Sequence, residues 1–147
     1  MPKKIAVFPG TFDPFTTGHE ALVRRGLTFL DEIIIAIGVN ESKKTWQSLD
    51  ERLKTISRIY ADEPRVKVIP YDGLTIDFAV EHNAKIILRG IRSTTDLEYE
   101  KLMADVNRKV SGIETVLLIT EPEFAHISSS VVRELQRYGK DISQFLP

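Results

Sequence analysis

The chain has 147 residues, 42% of them hydrophobic, with 20 Lys and Arg set against 21 Asp and Glu and no cysteine. That length suits one domain, residues 1–147, around one core. The near-neutral charge excludes a bulk field for nucleic acid or anionic lipid, and the missing cysteines exclude disulfides, thiolate metal sites and cysteine nucleophiles together. The apolar runs are strand-sized, well short of the roughly 20 residues that span a bilayer. With no signal-peptide pattern at the N-terminus, a cytoplasmic protein without nucleic-acid or membrane partners is expected.

Ile5 to Phe8 is an apolar run with no charge in it, as a central parallel strand requires. Pro9, Gly10, Asp13 and Pro14 break regular structure, Gly10 being free to take a positive φ or to admit another group against the backbone. From Gly18 and His19 a helix is predicted, with Leu22, Gly26, Phe29 and Leu30 on one face. Ile33 to Val39 reads as a second buried strand and 40–47 as a polar loop. Ser48 to Glu51 has the form of a capping box ahead of Leu53, Ile56 and Tyr60. Val66, Val68 and Tyr71 mark a half-buried strand. Asp72-Gly73 marks a turn, and Thr75 is positioned to cap a short helix that carries Ile76, Ala79 and Val80 inward. A fourth strand, Ile86 to Leu88, ends at Arg89-Gly90-Ile91-Arg92. Thr95 to Glu98 reads as a second capping box, followed by a helical stripe of Tyr99, Leu102, Met103, Val106 and Val110. Such a stripe is ordinarily core, with a subunit contact as the alternative. Thr115 to Thr120 is a fifth strand, and a last helix follows Ile127 and ends at Gly139. This alternation predicts an α/β, Rossmann-like, doubly wound five-stranded parallel sheet with helices on both faces and ligands at the strand C-terminal ends. The dinucleotide fingerprint is absent, which argues against a nicotinamide or flavin dehydrogenase.

Four groups of residues carry chemistry. A strand, an irregular turn and a helix N-terminus concentrate unpaired amides and a positive dipole end, which suits phosphate. Thr11, Thr16, Thr17 and His19 would add hydroxyl and imidazole donors there, although a capping or surface role for His19 is the plain alternative. Lys43 and Lys44 are either solvated or, as mobile charges at the same strand end, phosphate-neutralising. Arg89 and Arg92 either pair with Asp96, Glu98 or Glu100 or reach a ligand lying against Gly90. Ser128, Ser129 and Ser130 exceed what one N-cap needs, so a second phosphate cradle is expected at the last helix.

The segments G-T-F-D-P-x-T-x-G-H, S-K-K, R-G-I-R-S-x-x-D-L-E-Y-E and I-S-S-S, in this order and spacing, resemble the T/H-x-G-H nucleotidyltransferases, and among them the bacterial phosphopantetheine adenylyltransferases. The resemblance implies transfer of AMP from ATP to 4′-phosphopantetheine, giving dephospho-CoA and pyrophosphate. It implies catalytic roles for His19, Thr11, Lys43 and Arg92, with Thr11, Lys43, Thr75 and Arg89 on phosphopantetheine. It assigns Thr11, Phe12, His19, Gly90, Ile91, Arg92, Glu100, Phe124, Ala125, His126, Ile127, Ser128, Ser129 and Ser130 to ATP, Glu100 as acceptor from the adenosine part. Many members have an aromatic residue at the position of His126. Members form homohexamers, coenzyme A can inhibit them, and many continue past the position of Pro147 into a further helix.

An acceptor phosphate is already ionised at neutral pH, so no general base is needed and catalysis reduces to positioning and charge stabilisation. Mg²⁺ is expected with the triphosphate, with no metal ligand assigned to the protein; a role for Asp13 in ordering water or Mg²⁺ is left open. Two other readings stand beside this one. One is a nucleotidyltransferase of the same fold acting on nicotinamide mononucleotide, or on a phospho-alcohol with CTP. The other is a catalytically silent nucleotide-binding module.

Overall fold

The computed structural model describes residues 2–147. Its elements run β1 (Ile5–Gly10), α1 (Thr17–Gly26), β2 (Glu32–Gly38), α2 (Leu49–Ile59), β3 (Val66–Tyr71) and α3 (Thr75–Glu81), then β4 (Ile86–Ile91), α4 (Thr94–Ser111), β5 (Glu114–Ile119) and α5 (Ser129–Arg137). Short 3-10 turns occupy Pro122–Phe124 and Ser143–Phe145.

All strand pairs are parallel and the order is β3-β2-β1-β4-β5. The chain winds outward from β1 in one direction and then returns to its other side, so the sheet is Rossmann-like and doubly wound. β1 sits at the switch point, where ligand sites of open α/β sheets form. Strand periodicity divides the core in two. Ala6, Phe8, Ile33, Ile35, Ile37 and Leu88 face α1 and α2 through Leu22, Val23 and Ile56. Val7, Ile34, Ala36 and Ile87 face α3 through Ile76, Phe78 and Ala79. Gly26 closes α1 onto the sheet, since a Cβ there would stand 2.9 Å from Ile33 Cδ1 and 3.0 Å from Leu88 Cδ2.

Several local expectations are corrected. β4 runs through Arg89 and Gly90 to Ile91, because the ladder to β5 continues through Arg89–Leu117 and Gly90–Leu118. α1 ends at Gly26, and Phe29, beyond it, is exposed. Thr75 does not cap α3. Leu74 holds the cap position without a side-chain bond, and the Thr75 hydroxyl lies 2.8 Å from Tyr71 Oη. Val80 points outward. The start of α4 is capped by Ser93, whose Oγ accepts from the Asp96 amide at 3.2 Å, two residues ahead of the Thr95 box.

The largest correction concerns the stripe on α4. Tyr99, Leu102, Met103, Val106 and Val110 are all exposed, Val110 by 68%, while the buried residue of this helix is Glu100. A periodic apolar face requires a covering surface, and the described residues supply none to α4 there.

Candidate active site

The turn between β1 and α1 is built around His19. Thr16 is the N-cap, its Oγ1 accepting from the His19 amide at 3.4 Å, and the Thr16 amide donates back to His19 Nδ1 at 2.9 Å. This is a capping box in which imidazole replaces the usual Glu or Gln at the third helical position. A backbone N–H can only donate, so Nδ1 carries a lone pair and the neutral ring bears its proton on Nε2. The capping and functional readings of His19 are therefore compatible: one nitrogen closes the helix and the other remains a donor.

Aromatic rings hold the imidazole. Phe15 stacks on it at 5.2 Å between centroids and Phe12 meets it edge-on at 5.1 Å. Phe12 reaches that place with φ of 54°, its ring passing over Gly10, where a Cβ would meet Phe12 Cζ at 2.9 Å. Gly10 thus serves the close approach of a ring and needs no positive φ. Burial, aided by the charges of Arg89 and Arg92, holds the His19 pKa down to about 4. At neutral pH the ring is an uncharged donor.

His19 lines a cavity of about 390 Å³ at the C-terminal ends of β1 and β4. Thr11, Phe12, Lys43, Arg89, Gly90, Arg92, Glu100, Phe124, Ile127, Ser128, Ser129 and Ser130 line it too, so residues spread over more than a hundred positions converge as expected. A second cavity of about 260 Å³ adjoins it through Pro9, Gly10, Thr11, Arg89 and Glu100, and extends to Tyr71, Thr75, Tyr99, Met103 and Asn107. Thr75 belongs to this second space. Ile91, Ala125 and His126 lie outside both walls, as does Thr17; His126 instead meets Phe145 edge-on at 6.3 Å.

Arg89 pairs with a carboxylate and also lines both cavities. Nε donates to Glu100 at 3.0 Å and Nη2 at 2.7 Å, while Nη1 donates to the Pro9 carbonyl at 3.0 Å. The nearly buried Glu100 thus acts as the second shore of a fork that aims Arg89 along the seam of the two cavities. The adenosine contact implied for Glu100 would then fall to a carboxylate that already holds Arg89. Arg92 is fixed by Asp96, whose Oδ2 accepts its amide at 2.9 Å and lies 3.6 Å from its Nε. Each serine of the α5 start has its own work. Ser128 caps the Val131 amide at 3.2 Å, Ser129 donates to the Pro14 carbonyl at 2.8 Å, and Ser130 accepts from Arg133 at 3.3 Å.

Three supporting residues hold the site in ways the sequence did not indicate, although one of them, Asp13, falls inside the G-T-F-D-P segment. Asp13, 3% exposed, accepts the Trp46 amide at 2.8 Å and the Gln47 amide at 2.7 Å. Arg52, 4% exposed, sends Nη1 to the Thr11 carbonyl at 2.8 Å and Nε to the Ser48 carbonyl at 3.3 Å. Arg133 lines the first cavity and donates from Nη1 to the Asp13 carbonyl at 2.7 Å. Only a charge on the inner face of its helix hinted at Arg52, one turn before Ile56.

Comparison with known proteins follows the same lines. The cytidylyltransferase-like family model matches residues 7–135. The phosphopantetheine adenylyltransferase of Phocaeicola vulgatus is 58% identical over 142 residues, covering 97% of this chain and 94% of its own. That of Porphyromonas gingivalis is 52% identical over 147 residues, covering 100% and 96%. A crystal structure of a bifunctional NMN adenylyltransferase/ADP ribose pyrophosphatase from Francisella tularensis superposes with a TM-score of 0.71 at 15% identity. That superposition covers 99% of this chain, which spans 44% of the bifunctional protein, and it speaks for the fold alone.

Proposed function

The chain belongs to the phosphopantetheine adenylyltransferases of the cytidylyltransferase-like family, and on that footing we propose that it transfers AMP from ATP to 4′-phosphopantetheine, releasing pyrophosphate and dephospho-CoA. The observation that carries the reading is the state of His19: a neutral ring with Nδ1 filled by the Thr16 amide, in a cavity otherwise walled by Lys43, Arg89, Arg92 and the N-terminus of α5.

In this reading the triphosphate occupies the first cavity and the acceptor's pantetheine arm the second, the acceptor phosphate lying at the seam by Thr11 and Arg89. One acceptor phosphate oxygen forms a bond to the α-phosphorus in line as the bond to pyrophosphate breaks. The Nε2 proton of His19 is donated in a hydrogen bond to an α-phosphoryl oxygen and stays on the ring, so no proton need move. Thr11 adds a hydroxyl. Lys43 and Arg89 neutralise the acceptor, while Arg92 and the amides at the start of α5 hold the departing pyrophosphate.

Mg²⁺ enters on the triphosphate as part of the substrate. The carboxylates lining the first cavity support this, since Asp13, Asp96 and Glu100 are each engaged by amides or a guanidinium. The exposed α4 stripe supports an assembly that buries it, and the family resemblance makes that assembly a homohexamer. No helix of the described residues is long and apolar enough to cross a membrane, in keeping with work in the cytoplasm. Product-like coenzyme A would inhibit by filling the same two cavities.

The test is direct. The chain, ATP, Mg²⁺ and phosphopantetheine should yield dephospho-CoA by mass spectrometry. Pyrophosphate release with nicotinamide mononucleotide, or with CTP and a phospho-alcohol, but not with phosphopantetheine, would overturn the substrate. ATP binding without adenylyl transfer would overturn the enzyme.

A further inference from the structure

The loop that carries Lys43 has few bonds of its own. The Lys43 amide donates to the Asn40 carbonyl at 3.0 Å, and Asn40 Oδ1 accepts from Ser42, which shapes the near end. The far end is held from outside. The two oxygens of the buried Asp13 carboxylate receive the consecutive amides of Trp46 and Gln47, three and four residues past Lys43. Asp13 is itself immobilised through its carbonyl, which accepts from Arg133 of α5, and the next carbonyl, Pro14, accepts from Ser129. The turn after β1 is thus tied to α5 by its backbone and to the Lys43 loop by one side chain.

We propose that Asp13 is a positioning residue: by clamping the amides of Trp46 and Gln47 it sets the reach of Lys43 over the cavity, and so the affinity for the anionic acceptor. The role of Lys43 rests on the function proposed above; the clamp does not. A carboxylate suits the task because it accepts at both oxygens. Asparagine keeps the shape but offers one acceptor and turns an NH₂ toward the second amide.

Hydrogen exchange on the wild-type protein reads the clamp without any variant. The Trp46 and Gln47 amides should exchange at least tenfold more slowly than those of Lys44 and Thr45, and equal rates would overturn the proposal. Trp46 is the one tryptophan of the sequence, so its emission reports the loop alone, and Asp13→Asn should raise its quenching by acrylamide about twofold. In steady-state kinetics Asp13→Asn should raise KM for phosphopantetheine about tenfold and KM for ATP less than twofold. In a Lys43→Ala background the same change should alter the phosphopantetheine KM less than twofold, because the lysine it positions is gone. An equal rise in both KM values, or the full tenfold in the Lys43→Ala background, would overturn the proposal. If Asp13→Asn does not fold, Gln47→Pro removes one clamped amide and leaves the buried carboxylate in place. It should show the same split at about threefold, and its absence would count against the clamp. A wild-type protein that makes no dephospho-CoA defeats the reaction assigned above, while the exchange rates judge the clamp regardless.

Discussion

α1 and α4 carry apolar stripes of the same helical period, yet one is sealed and the other bare. α1 buries Ala21, Leu22, Val23 and Gly26 against β1, β2 and β4, whereas α4 turns Tyr99, Leu102, Val106 and Val110 outward and buries Glu100. A period identifies a face and says nothing about what lies over it. In α1 the covering surface is the sheet; in α4 the inward side is occupied by a carboxylate whose business is Arg89 at 2.7 Å.

The sharpest contrast should come from the head of α1. His19→Ala removes both the Nε2 donor and the reciprocal cap. Turnover should fall by about 10² to 10³, as for loss of one donor to a transition-state oxygen, with helical circular dichroism retained. A folded variant with near-normal turnover would take the imidazole out of the chemistry. Next in size is the pH dependence of folding. The unfolded chain protonates this histidine near 6.5 and the folded chain only near 4. Stability should therefore be full above about 6.5 and decline as the pH drops toward 4, by at most about 3 kcal/mol. Following the His19 Cε1–H resonance through the titration checks this, and a midpoint near 6.5 would contradict it. Val23→Ala, in the sealed stripe, should cost about 2 kcal/mol by denaturant melting. Leu102→Glu, in the bare one, should leave the far-UV spectrum unchanged and move only the sedimentation coefficient, from that of the proposed hexamer toward a monomer's. If Leu102→Glu unfolds the chain, or Val23→Ala does nothing, the two stripes are not as different as drawn.

Much of this architecture was legible because it rests on short-range rules. Ile5 to Phe8 and Ile33 to Ile37 lack charge, and such short runs, rich in β-branched residues and followed by Pro or Gly, suit a strand buried on both faces. Alternation implied a doubly wound parallel sheet with ligands at the strand C-terminal ends. The strand order puts the switch point at β1, where Thr11, His19, Lys43, Arg89, Arg92 and the serines meet in one cavity. What escaped depends on long-range pairing. The Ser93 cap is the local exception: it competes with an equally good box at Thr95, and the bond from the Arg92 amide to Asp96, four residues on, accompanies it. Nothing near Asp13 announces amides 33 and 34 residues away, nor does Arg52 announce a carbonyl 41 residues back. Ala125 and His126 share a motif with lining residues but sit where the 3-10 turn rotates them off the wall.

The reciprocal bond between positions 16 and 19 also fixes the order of events in the life of this protein. The reciprocal cap of α1 can close only on an imidazole that has vacated Nδ1, so closing that cap and choosing the tautomer are a single act. The newly folded molecule is therefore cocked before any nucleotide arrives, and it has nothing to reset between one turnover and the next.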